Sequence, residues 1–256
     1  PLTAGRYALT ATGSSFGGYF GGGISPGPIV YSTIDRIDYS NDTATATTKG
    51  PLSVARARFA ATGNASFGYF GGGDPNPQKS LIDRIDYSND TATASPKGRL
   101  SAAKRQNAAT GNSSFGYFGG GDPGKVSTIN RIDYSNDTPT TSVKGPLNTG
   151  RDRLAATGNA DFGYFGGGAS PSDNSTVDRI DYSNDTATAS PKGPLSAARK
   201  ELAATGNSPF GYFGGGSPSN TTVDRIDYSN DTATATAKGS LSGIGGRIAA
   251  TSAGAN

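Results

Sequence analysis

Along the chain, short apolar runs alternate with turn signals, and no window carries the 3.6-residue period of a helix built from good helix formers. Residues 151–196 show the grammar. Leu-Ala-Ala-Thr at 154–157 ends at the turn pair Gly158 and Asn159, and Phe-Gly-Tyr-Phe at 162–165 is stopped by three glycines. Residues 176–182 form a third run, with Asp178, Ile180 and Tyr182 on one face and Val177, Arg179 and Asp181 on the other. Ser183, Asn184 and Asp185 carry turn chemistry, and Thr-Ala-Thr-Ala-Ser at 186–190 reads as a fourth, weaker strand before Pro191.

This four-strand pattern recurs. Tyr-Phe-Gly-Gly-Gly begins at Tyr19, Tyr69, Tyr117, Tyr164 and Tyr212, at spacings of 50, 48, 47 and 48 residues. Each copy is followed by Arg-Ile-Asp-Tyr-Ser-Asn-Asp-Thr, from Arg36, Arg84, Arg131, Arg179 and Arg225, and preceded by Ala-Ala-Thr-Gly or a variant. Four short strands per unit and five units predict an all-β fold, a single five-bladed β-propeller of four-stranded antiparallel blades over residues 1–256. The small Ala and Thr residues of the first strand suit a narrow central channel. A sixth Ala-Ala-Thr lies at 249–251. Five copies carry a basic residue four positions upstream of the triplet (Arg6, Arg56, Lys104, Arg151, Arg199), whereas the sixth has Gly245 there. Residues 240–256 therefore read as a tail repeating the first strand, either surplus or ring-closing, and surplus is favoured.

The repeat resembles the kelch motif, the propeller type of the galactose oxidase central domain. Tyr164, Gly166 and Gly167 match its Tyr-x-x-Gly-Gly element, and residues 182–186 match the strand and turn that follow. Ala187 or Ala189 stands near the usual tryptophan, a departure that removes a large packing residue. The resemblance implies the fold and leaves function open. It also implies that the turns after the first and third strands share one face, and the loops after the second and fourth share the other. The wording of the repeats is similar, too, to repeat-bearing virion proteins of marine bacteriophages, including tail-fibre-like proteins, which implies a virion or extracellular setting.

Composition narrows the chemistry. The chain has no Cys, His, Met or Trp, so thiol nucleophiles, disulfides and imidazole bases or ligands are absent. Neither the copper centre of galactose oxidase nor the boxes of sialidase propellers carries over, and Glu201 is the only glutamate. The expectation is no enzyme, no cofactor and no metal; alternation separates Asp178 from Asp181, against a calcium loop. A net charge of +3 does not by itself indicate nucleic acid, and no run is long and apolar enough for a transmembrane helix. The chain opens on Pro1 with no visible signal peptide, which reads as an excerpt or a processed product.

The turn face is nearly identical in every unit, as turn geometry demands. The loops after the three glycines differ, and rigid scaffolds carry function on such loops. Candidate ligand contacts are therefore the basic positions Arg6, Arg56, Lys104, Arg151 and Arg199, with Lys79, Lys125, Asn174 and Asn220 from the loops. The basic set admits two readings: buried pairing with aspartates, or a cationic ring facing an anionic ligand. The recurring aromatics read as blade-to-blade packing. The expected role is a non-catalytic structural or adhesion propeller binding a host surface glycan or a neighbouring virion protein, the alternative being an architectural or designed repeat without ligand. Oligomeric state is left open.

Overall fold

The strand grammar folds locally, as antiparallel meanders. The structure, a computed structural model, describes residues 1–75, 77–218, 220–243 and 246–251. Five four-stranded antiparallel sheets, each in sequential order, form the blades of a five-bladed β-propeller at residues 10–49, 60–99, 108–144, 155–192 and 203–240. In blade four the strands are Ala155–Gly158, Phe162–Gly166, Val177–Asp181 and Ser190–Lys192. The fourth strand lies later than the Thr-Ala alternation suggests. A 3-10 turn over Tyr182–Asn184, capped by the Asp181 carboxylate accepting from the Ser183 amide, carries the chain round first. Asp178 then pairs with Pro191 at the outer edge, where a missing N–H costs no ladder bond.

The core lies between blades. Four apolar clusters fill the four interfaces of consecutive blades, and each buries a second-strand Tyr from one blade and a Phe from the next. Gly119 and Gly166 are packed so closely by Phe165 and Phe213 of the following blade that a Cβ would collide with the ring. Tyr117 stacks on Tyr182 and Tyr164 on Tyr228, with centroids 4.9 and 4.8 Å apart. A polar latch rims each interface. The Asp185 carboxylate accepts from Tyr117 at 3.0 Å and Arg131 at 2.8 Å of the preceding blade, and pairs with Lys144 at 3.2 Å. Asp90, Asp137 and Asp231 repeat this with the residues before them. Burial and the carboxylate push the Tyr19 hydroxyl up to about 12.

The first strands surround the axis, and in four of them the Thr hydroxyl meets the Tyr that follows the next blade's third strand: Thr12 with Tyr87, Thr62 with Tyr134, Thr110 with Tyr182, Thr157 with Tyr228. Residues 248–251 join this ring. Thr251 packs on Gly13 and Gly18 and meets Tyr39, the place a preceding blade would take. The tail's Ala-Ala-Thr copy lines the channel beside the five first strands. Gly245 lies outside the described residues.

Candidate functional site

The two mouths of the channel differ in kind. At the turn face the lining repeats: Thr12, Thr62, Thr110, Thr157, Thr205 and Thr251 ring a cavity of about 170 Å³. At the opposite mouth, beside the loops after the three glycines, the lining changes at every step: Ala8, Arg58, Gln106, Arg153, Glu201 and Arg247. This varied mouth is the candidate site.

Its backbone is fixed whatever the side chain. All six residues have left-handed φ values between 56° and 59°. Their main chains form a closed hoop: the amides of Arg58, Gln106, Arg153 and Glu201 donate to the carbonyls of Ala8, Arg58, Gln106 and Arg153. Arg247 then donates to Glu201, and Ala8 to Arg247, at 2.8 and 3.1 Å. In the five blades the residue before the hoop position bridges the residue after the three glycines, as in Ala57 with Asp74, Arg105 with Asp122, Asp152 with Ala169 and Lys200 with Ser217. Gly168, at φ 99°, permits this by donating its amide to the Arg199 carbonyl while Asp152 O lies 2.7 Å from where a Cβ would stand.

Charges at this mouth cancel. Arg58 pairs with Asp74 at 2.9 Å, and Arg105 bridges Asp74 and Asp122 at 3.2 and 3.0 Å. Arg153 lies 3.7 Å from Asp152 and 3.6 Å from Glu201, which also pairs with Arg247 at 2.9 Å; Lys200 reaches Asp173 at 2.8 Å. The surface is thus a mixed array of guanidinium, carboxylate and amide groups without a strong field.

The cationic ring inferred from the basic positions is corrected here. Arg6, Arg56, Arg151 and Arg199 have fully buried side chains, paired with Asp35, Asp83, Asp178 and Asp224 at 3.1, 3.1, 2.7 and 3.0 Å. Each also donates to the carbonyl of the second-strand Phe in its own blade. The aspartates sit on the third strand and also take a loop amide, as Asp178 does from Asn148 and Asp224 from Ser196. A guanidinium buried between its aspartate and a Phe carbonyl of its own blade is a structural tie and does not face a ligand. In blade three, Lys104 is buried and Asn130 replaces the aspartate. Lys104 Nζ has only the Thr128 carbonyl at 3.4 Å, Asn130 donates to Ser101, and burial pushes the amine down to about 8.

The loop candidates divide. Asn174 and Asn220 turn their Oδ1 atoms inward to accept the amides of Thr176 and Thr222 at 2.6 Å, so they shape their loops. Lys125 Nζ reaches the Pro171 carbonyl of the neighbouring loop, and Lys79 is half-buried in its own. Of the hoop residues, Arg58 and Arg153 stand out in the sequence as cations close to the basic set; Ala8, Gln106 and Glu201 were legible as the positions two beyond each basic residue that fail to repeat. Among the described residues no group of three or more acidic, His or Cys side chains could hold a metal. Asp178, Asp181 and Asp185 are each spent on a tie, a cap or a latch.

No family model matches the chain, and no curated protein matches it. Among solved structures it is similar to the structure of YjhT, with a TM-score of 0.77 and 12% identity over 98% of this chain and 88% of that one, a likeness of fold alone.

Proposed function

We propose that the protein is a non-catalytic display propeller, a tail-fibre-like virion module that binds a host surface glycan or a neighbouring virion protein through its varied mouth and loops. The observation that carries this is the contrast between the two mouths: threonine stands at all six steps of one, whereas Ala, Gln, Glu and three Arg share the six steps of the other. A hoop made by the main chain holds these positions whatever side chain they carry. Adjacent Arg, Gln and Glu groups can match the paired donors and acceptors of sugar hydroxyls or a polar protein surface. The kelch-like repeat and its likeness in wording to phage virion proteins support the setting, virion or extracellular. An architectural module without ligand is the second reading, favoured by the mutual neutralisation of the mouth's charges.

The test is binding of labelled, folded protein to bacterial surface polysaccharides and whole marine bacteria at low and high salt, alongside the triple variant Arg58→Ala, Arg153→Ala, Glu201→Gln. Saturable binding with weak salt dependence, lost in the folded triple variant, is expected. A folded protein that binds nothing at micromolar concentration makes the module architectural.

A further inference from the structure

The propeller has one interface unlike the other four. Residues 248–251 line the channel between the first strands of blade five and blade one, and among the described residues the blade faces on either side lack the apolar neighbour that the other faces have. On blade five, Tyr212 is half-buried, whereas Tyr19, Tyr69, Tyr117 and Tyr164 are no more than 3% exposed. Among the described residues nothing lies within 4 Å of where a Gly239 side chain would start, where Gly50, Gly98, Gly145 and Gly193 abut the following blade's main chain. Among the described residues no carboxylate reaches Arg225, although Arg36, Arg84, Arg131 and Arg179 each hold one. Blade one shows the mirror deficit. Phe20 and Ile37 are only half-buried and Asp42 is exposed, where their counterparts in the later blades are packed or latched.

We propose that this slot is a docking site for a three-stranded segment of the same repeat type. Its independent basis leaves the reading of the varied mouth untouched. The four closed interfaces state what the slot recognises. The blade-five face would take a Phe over Gly214, a Tyr against Tyr212 and an aspartate from a Ser-Asn-Asp turn on Arg225. The blade-one face offers Asp42 to an incoming Tyr and Arg. Residues 248–251 supply the inner strand on which the segment's Phe-Gly-Tyr-Phe strand would add by main-chain pairing. Charge decides the orientation, because a reversed segment would set its own Arg against Arg225 and its own Asp against Asp42.

The probe is a fluorescent peptide of residues 159–193, three strands of blade four with their turns, titrated into the full chain and followed by anisotropy and native mass spectrometry. A 1:1 complex is expected. It should weaken at least tenfold with Tyr212→Ala plus Arg225→Ala in the protein, and equally with Asp185→Ala in the peptide. Pairing Arg225→Asp protein with Asp185→Arg peptide should restore binding, which a merely misfolded variant would not do. No binding at 100 µM or below by protein with an intact near-UV spectrum overturns the proposal. So does peptide-insensitive dimerisation abolished by the Tyr212 and Arg225 changes, which would give the slot to a second copy.

Discussion

Blades three and four have the same strands and solve one problem differently. Blade four buries Arg151 and satisfies it with Asp178, the Phe165 carbonyl and a loop that also bonds the aspartate. Blade three buries Lys104 at the same place with Asn130 where the aspartate would be, so both members of the pair differ together. The lesson is that the position demands balance rather than charge. An ammonium can shed its proton and sit beside a neutral amide, whereas a guanidinium cannot and needs its carboxylate. A buried pair adds little over a neutral substitute, yet half of one is expensive.

The comparison breaks most visibly in blade four. Asp178→Ala leaves Arg151 charged and unmatched, and should cost about 3–5 kcal/mol of unfolding free energy in a urea titration. The counterpart Asn130→Ala removes a neutral hydrogen bond and should cost only about 1 kcal/mol. Equal losses would show that the pair is not what the blade depends on. Of intermediate size is a cycle in blade three: Lys104→Arg alone should destabilise, Asn130→Asp should rescue it, and the coupling should fall at about 1–3 kcal/mol. Additive changes would mean that the two positions do not communicate.

The gentlest test uses pH. Folded Lys104 loses its proton near 8 and the unfolded chain near its ordinary 10.5, so between those values the unfolded state holds more protons. Stability should therefore rise with pH across that window, by about 1.4 kcal/mol for each unit of separation, and the penalty should be complete below pH 8. Buried tyrosines such as Tyr19 and Tyr228, both pushed up to about 12, act oppositely once pH passes their ordinary value near 10. The difference between the native chain and Lys104→Met from pH 7.5 to 9.5 isolates the lysine; a flat difference would place its amine in contact with water.

The fold was legible because its periodicity is long and nearly exact: Tyr-Phe-Gly-Gly-Gly and Arg-Ile-Asp-Tyr recur at blade spacing, and alternation within each run gives strands. The fourth strand was less so, since Thr-Ala-Thr-Ala mimics β alternation while the capped Ser-Asn-Asp turn consumes those residues. The basic set stayed open between buried pairing and a ligand-facing ring because a sequence gives a residue's place on the chain and not its direction. The signal that could have resolved it is the joint change to Lys104 and Asn130, the mark of two positions in contact. The tail's role turned on Thr251 filling the space beside Tyr39, a long-range packing fact no local pattern carries.

The hoop at the varied mouth has a mechanical consequence. Four sectors of the ring are joined by broad apolar interfaces, but around the slot the circumference is bridged near the axis by the Arg247 links to Glu201 and Ala8 and the contacts of Thr251. Such a body behaves as a split washer. Strain at the rim concentrates at the gap, its two lips spread before any blade loosens, and backbone amides near residues 247–251 exchange with solvent ahead of the rest of the ring.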